Sequence, residues 1–257
     1  MNRIDTLFTN KPTGVLSVYM TAGYPLLDDT VKVIHELAAC GVDLVEIGMP
    51  FSDPLADGPV LQKCNQRALD NGMSLEILFE QISDIREKVD IPLILMGYLN
   101  PVLNYGLEKF CKKASDVGMD GVILPDLPLE EYEVRYRGIF EKYGLYMIFL
   151  ITPQTSDERI LQITNLSKGF LYMVSAASTT GIKQGIQAEQ LDYYRRISDM
   201  DLPLPRLIGF GISSGESFRQ ACQHANGAII GSAFMKYLSD EGNLPEKISV
   251  FIKGLEL

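Results

Sequence analysis

At 257 residues the chain is close to the length of one α/β barrel, about 250 residues, and its 46% hydrophobic content is ordinary for a globular domain with one sizeable core. A net charge of −10, from 33 acidic against 23 basic residues, argues against nucleic acid or an anionic membrane as the main partner, because both need clustered Lys and Arg. No apolar run approaches the roughly 18 residues that span a bilayer, and the opening MNRIDTLFTN lacks the apolar core of a signal peptide, so a cytoplasmic protein is expected.

In chain order, 2–8 reads as a short extra helix that plugs a barrel floor. Eight short apolar runs follow: 15–21, 44–48, 93–97, 121–124, 146–151, 170–175, 206–210 and 228–230. Each is nearly continuous in apolar residues, as parallel strands covered on both faces require. Amphipathic patterns fill the gaps. The segment 29–39 sets Val31, Ile34, Leu37 and Ala38 on one face. The segment 74–89 opens on a Ser cap and sets Ile77, Leu78, Ile82 and Ile85 on one face. Further helices fit 107–117, 129–142, 157–167, 188–198, 215–224 and 245–253. Eightfold β/α alternation predicts a single-domain (β/α)8 TIM barrel over 1–257, rather than an open doubly wound sheet.

A barrel of this kind carries its active site where strands end and the following loops begin. On the second run side chains alternate, so Val45 and Ile47 suit the helix side while Leu44, Glu46 and Gly48 face inward. Glu46 is then a carboxyl at the catalytic mouth. Removal from water favours its neutral form and lets it both give and take protons near neutral pH. The next loop, PFSDPLADGP, holds Asp53 and Asp57 and is stiffened by Pro50, Pro54 and Pro59. Spacing alone allows either aspartate to be a helix cap or turn former instead of a reacting group.

Glycines gather after the last three runs: Thr180-Gly181, Gly209 and Gly211, and Gly231-Ser232. Barrels often hold phosphate with the loops after strands seven and eight and a short extra helix, here 232–238. The segment 176–187, AASTTGIKQGIQ, is long enough to close over a substrate. The cysteines (Cys40, Cys64, Cys111, Cys222) show no CxxC spacing and read as reduced packing residues. His35 and His224 lie in helical patterns, and no zinc site is expected.

The segment VEIGMPFSDPLADGPVLQ closely resembles the signature of tryptophan synthase alpha subunits. YMTAGYP, GMDGVILPDLPLEE, FLITPQTSDERI, YMVSAASTTG, IGFGISS and AIIGSAFMK resemble the same family in order along the chain. The resemblance implies a lyase of tryptophan biosynthesis. It would split indole-3-glycerol phosphate into indole and glyceraldehyde 3-phosphate, with no cofactor of its own. It also implies a beta subunit carrying pyridoxal phosphate in an α2β2 heterotetramer. Carried over by motif, Glu46 and Asp57 are the catalytic pair. Tyr19, Met96, Tyr172 and Phe210 line the substrate. Thr180, Gly181, Gly211, Gly231 and Ser232 serve loop closure and phosphate. Pro50, Asp53 and Asp126 belong to the partner interface. The chain departs from the common pattern at Ala176, Ala177 and Ser178, where Arg-x-Gly is frequent, and at Tyr19, where Phe is common. The other readings compatible with the residues are a different sugar-phosphate barrel enzyme and a catalytically weak subunit that activates its partner.

Overall fold

A computed structural model describes residues 1–175, 188–239 and 242–256. Its strands are β1 (Val15–Thr21), β2 (Leu44–Gly48), β3 (Leu93–Met96), β4 (Gly121–Ile123), β5 (Tyr146–Met147), β6 (Leu150–Ile151), β7 (Leu171–Val174), β8 (Arg206–Gly209) and β9 (Gly227–Ile230). They form one sheet in the order β5-β4-β3-β2-β1-β9-β8-β7-β6, and every pairing is parallel. The two outer members, β5 and β6, are consecutive pieces of the fifth predicted run. The chain between them supplies the missing rungs: the Ile148 N–H donates to Val122 O at 3.0 Å, and the Tyr172 N–H donates to Phe149 O at 3.1 Å. The sheet therefore closes on itself as an eight-membered barrel with a broken fifth strand. The break has a local cause. The Ser167 hydroxyl takes the Phe149 N–H at 3.1 Å, which removes that donor from the ladder.

Alternation along the strands sorts side chains into two apolar layers. Val15, Leu44, Ile94, Ile123, Ile148, Phe170, Leu207 and Ile229 fill the barrel. Val45, Ile47, Leu93, Leu95, Met173 and Ile208 pack outward against helices. The floor is sealed by α1 (Arg3–Asn10), whose first turn is capped by the Asn2 side chain accepting the Ile4 N–H. Ile4 and Phe8 of this helix belong to the inner layer. Gly169 makes room for it, since a Cβ there would fall 2.9 Å from Ile4 Cγ2. Asp120 ties the same end together by pairing with Arg3 and Arg86 and accepting the Leu93 N–H.

The helices are α2 (Thr30–Ala39), α3 (Pro59–Asp70), α4 (Leu75–Gln81), α5 (Leu99–Tyr105), α6 (Leu107–Asp116), α7 (Leu129–Glu131), α8 (Arg137–Lys142), α9 (Asp157–Leu166), α10 (Ala188–Asp199), α11 (Gly215–Cys222), α12 (Ser232–Leu238) and α13 (Leu244–Lys253). Four stretches differ from expectation. The predicted helix 74–89 stops at Gln81 and continues as turns and a tight 3-10 turn, Ile85–Glu87. Ile82, Ile85 and Val89 are nonetheless all buried, so the apolar spacing reports the covered face without reporting the winding. Ser83-Asp84 sits where the helix gives way, and both residue types compete with helical hydrogen bonds. The predicted helix 129–142 carries a π-helical stretch, Tyr132–Tyr136, between α7 and α8. Helices α3 and α5 were not expected at all. Of α3, only Leu61, Cys64, Asn65 and Ala68 are buried, a stripe too polar for apolar periodicity to detect. Among the described residues no helix is long and apolar enough to cross a membrane.

If α1 is a structural floor, trimming its fully buried Ile4 should leave a cavity. Ile4→Ala is expected to lower unfolding stability by about 2–5 kcal/mol, read as a lower urea midpoint with an unchanged slope.

Candidate active site

Glu46 leaves β2 toward the barrel interior, as the alternation predicts, and is fully buried. Its Oε1 accepts a hydrogen bond from the Ser17 hydroxyl at 3.0 Å. Its Oε2 is buried with no hydrogen-bond partner among the described residues. Burial pushes the carboxyl up to about 8, and the Ser17 hydrogen bond opposes that rise.

Two tyrosines wall the same space. Tyr19 on β1, paired in register with Glu46, leans across to β2, where a Cβ on Gly48 would sit 2.1 Å from its hydroxyl oxygen. Tyr172 on β7 does the same to β8, with its hydroxyl oxygen 2.3 Å from a Cβ placed on Gly209. Gly48 and Gly209 are thus required by close approach, not by backbone conformation. Both phenols are held well above their ordinary range, first by burial. The charges of Glu46 and Asp57 add to the effect at Tyr172, and that of Asp57 at Tyr19. A hydroxyl that feels both carboxylates sets them around one mouth.

Asp57 reaches that mouth from a loop that α3 holds in place. Its Oδ2 accepts from Asn65 Nδ2 at 3.1 Å, and the Asn65 Oδ1 accepts the Phe51 N–H at 3.2 Å. One buried amide therefore joins the start of the loop to its end. The Tyr98 hydroxyl accepts the Ala56 N–H at 3.0 Å, and its ring packs on Phe51 with centroids 5.1 Å apart. Burial raises the Asp57 carboxyl to about 6, opposed by the Asn65 hydrogen bond. The side chain does not cap α3, whose first turn begins with Pro59 after Gly58. Asp53, by contrast, is exposed and accepts the neighbouring Ser52 hydroxyl. The structure separates two aspartates that spacing left equivalent.

Across the mouth, Phe210 and Gly211 follow β8 with φ of +69° and +77°. The Ser175 hydroxyl donates to the Phe210 carbonyl at 2.6 Å, and the Phe210 ring lies edge-on to Tyr172 at 6.3 Å. Gly231 and Ser232 start α12 beside β1, and a Cβ on Gly231 would lie in ordinary contact, 3.5 Å, with Tyr19 Cβ. Met96 ends β3, touching both apolar layers. On the rim, Pro50 is half-buried, and the exposed Asp126 accepts the Leu99 N–H at 2.9 Å, at the start of α5. Thr180 and Gly181, with the expected closing segment 176–187, lie outside the described residues, as do Ala176, Ala177 and Ser178.

Among the described residues no group of three or more His, Cys, Asp or Glu could hold a metal ion. His224 stacks on Tyr194, centroids 5.5 Å apart, on the helical layer. Sequence reasoning missed Ser17 and Asn65. Ser17 was legible as the polar, inward member of VLSVYMT. Asn65 was not, because its helix was not expected.

Removing the Asn65 amide takes a donor from the charged form of Asp57. Asn65→Ala is therefore expected to raise the Asp57 midpoint above about 6. Isotope-edited carboxyl NMR, assigned with Asp57→Asn, reads this directly; an unmoved midpoint would show that the amide does not hold the carboxylate.

The family model described as "Tryptophan synthase alpha chain" matches residues 8–253. The tryptophan synthase alpha chain of Flavobacterium johnsoniae is 56% identical over 252 residues, 98% of each chain. That of Bacteroides fragilis is 50% identical, covering 99% of this chain and 97% of the relative. Among solved structures, the alpha chain from Legionella pneumophila superposes with a TM-score of 0.89 at 34% identity, covering 99% of this chain and 96% of the other. A chain of the tryptophan synthase complex from Pyrococcus furiosus superposes at 0.86 and 31% identity, covering 95% and 98%.

Proposed function

The chain belongs to the tryptophan synthase alpha chain family, and from that premise we propose that Glu46 and Asp57 are the pair that carries out its reaction. The subunit cleaves indole-3-glycerol phosphate to indole and glyceraldehyde 3-phosphate and works with a beta subunit in tryptophan biosynthesis. The family's pyridoxal phosphate belongs to that beta subunit.

The bond to be broken joins indole C3 to the carbon bearing the first chain hydroxyl. It cannot open directly, because C3 would leave as a poor carbanion. Glu46 gives its proton to C3, which turns the ring into a cationic indolenine. Asp57, ionised, accepts the ring N–H and stabilises the positive charge as it grows. The Glu46 carboxylate then takes the chain hydroxyl proton. The oxygen electrons form the aldehyde carbonyl, the carbon–carbon bond pair returns to the ring, and neutral indole departs. The observation that carries this reading is a fully buried Glu46 carboxyl bonded among the described residues by Ser17, with a second carboxyl, Asp57, held by Asn65; burial pushes the first up to about 8 and the second to about 6. Environments that push two carboxyls apart in this way divide the acid role from the anionic role. Tyr19, Met96, Tyr172 and Phe210 would flank the indole. Gly211, Gly231 and Ser232, with Thr180 and Gly181, would receive the phosphate.

Pro50, Asp53 and Asp126 are proposed to meet the beta subunit, in an α2β2 assembly in the cytoplasm. The exposure of Asp53 and Asp126, and of the 91% exposed Leu55 between the two loop aspartates, supports a docking role for this rim. The loop that would touch the partner is the loop that carries Asp57.

The deciding experiment is indole release, alone and with a beta subunit. Glu46→Gln keeps the shape but has no proton to give, and should lower turnover by about 10²–10⁴-fold or more with the unfolding midpoint retained; wild-type turnover would remove Glu46 from the mechanism. The pH profile of kcat/KM gives a second check. Asp57 must be charged, so activity rises through about 6, and Glu46 must start protonated, so activity falls through about 8. A profile flat across both values would contradict the assignment.

A further inference from the structure

Ser17 is a hydroxyl in a place that has no packing use for one. It lies on the inner face of β1, between Val15 and Tyr19 on that face, and is fully buried. A hydroxyl kept from water costs free energy unless it is bonded. Its one hydrogen bond among the described residues is to Glu46 Oε1 at 3.0 Å. The other carboxyl oxygen, Oε2, is buried and has no partner there. The two oxygens of one side chain are therefore treated differently.

A neutral carboxyl has one O–H donor and one carbonyl oxygen that accepts. Ser17 has no other acceptor for its own proton among the described residues, so donating to Oε1 is the arrangement that satisfies both groups. Oε1 is then the carbonyl oxygen, and the proton belongs on Oε2. We propose that Ser17 is a positioning residue for the cleavage: by occupying Oε1 it assigns the transferable proton to Oε2, the oxygen left open. This rests on the reading of Glu46 as the proton donor.

The step balances without any further reactant. The Oε2–H bond breaks as the C3–H bond forms, and the carboxyl becomes a carboxylate. The Ser17 hydrogen bond then acts on a charged acceptor and strengthens as the negative charge appears. It is a stronger interaction after proton transfer than before, which is the kind that speeds a step. On return, Oε2 takes the chain hydroxyl proton, and the same oxygen is ready for the next turnover.

The test uses the chain with its beta subunit and the variants Ser17→Ala, Ser17→Thr and Ser17→Val. Ser17→Ala should lower kcat by about ten- to hundredfold with KM little changed. It should also move the descending limb of the pH profile upward from about 8, because the carboxylate has lost a donor. Thr and Val differ by a hydroxyl at nearly equal bulk, so Thr should exceed Val by a similar factor even if the extra bulk slows both. Isotope-edited carboxyl NMR, assigned with Glu46→Gln, should show the same upward move of the Glu46 midpoint without any turnover. A wild-type kcat and an unmoved limb in Ser17→Ala would overturn the proposal. So would a fall in kcat with no movement of the limb or of the NMR midpoint, since simple loosening would give that. Inactive Glu46→Gln beside fully active Ser17→Ala sinks only this inference, whereas active Glu46→Gln sinks the reading beneath it.

Discussion

A carboxyl group held out of water, with only a serine hydroxyl to bond it among the described residues, is the constraint on which the rest of this structure turns. Glu46 gains no Coulombic relief from a cation among the described residues, so its neutral form is favoured and its proton becomes useful near neutral pH. That state lasts only while solvent is kept away. The floor helix with Ile4 and Phe8 closes one end of the barrel, and Tyr19 and Tyr172 crowd the other. Each tyrosine reaches its place because the facing strand presents glycine.

The second carboxyl is built on the opposite plan. Asp57 sits in a half-exposed loop and takes a hydrogen bond from Asn65, so its charge is easier to keep. Strand geometry fixes Glu46, whereas a loop pinned by a helix side chain fixes Asp57. The first is as rigid as the sheet. The second follows anything that shifts α3 or the loop tip.

The sequence showed the parts of this design that follow a short period. Strand runs and the inward face of Glu46 were legible because alternation of two places an entire strand at once. The fifth run looked continuous because its break comes from Ser167, distant in sequence and silent in any pattern. Helix α3 escaped notice because its buried stripe includes Asn65, and that residue is buried for the loop's sake. The choice between Asp53 and Asp57 came from resemblance. In the structure the two differ in surroundings: one side chain is exposed and the other meets a buried amide.

The position of β1 between β2 and β9 has a consequence for how the protein is made. The strand bearing Ser17 and Tyr19 is made before the rest of the sheet and meets β2 soon after. Its other edge stays open until residues 227–230 have been synthesised. An unpaired strand edge is a template for association with other chains, and this one carries a wall of the candidate site. The mouth is therefore among the last regions of the nascent protein to be sealed, and a chain halted before β9 would expose an unfinished barrel seam beside the buried Glu46 carboxyl.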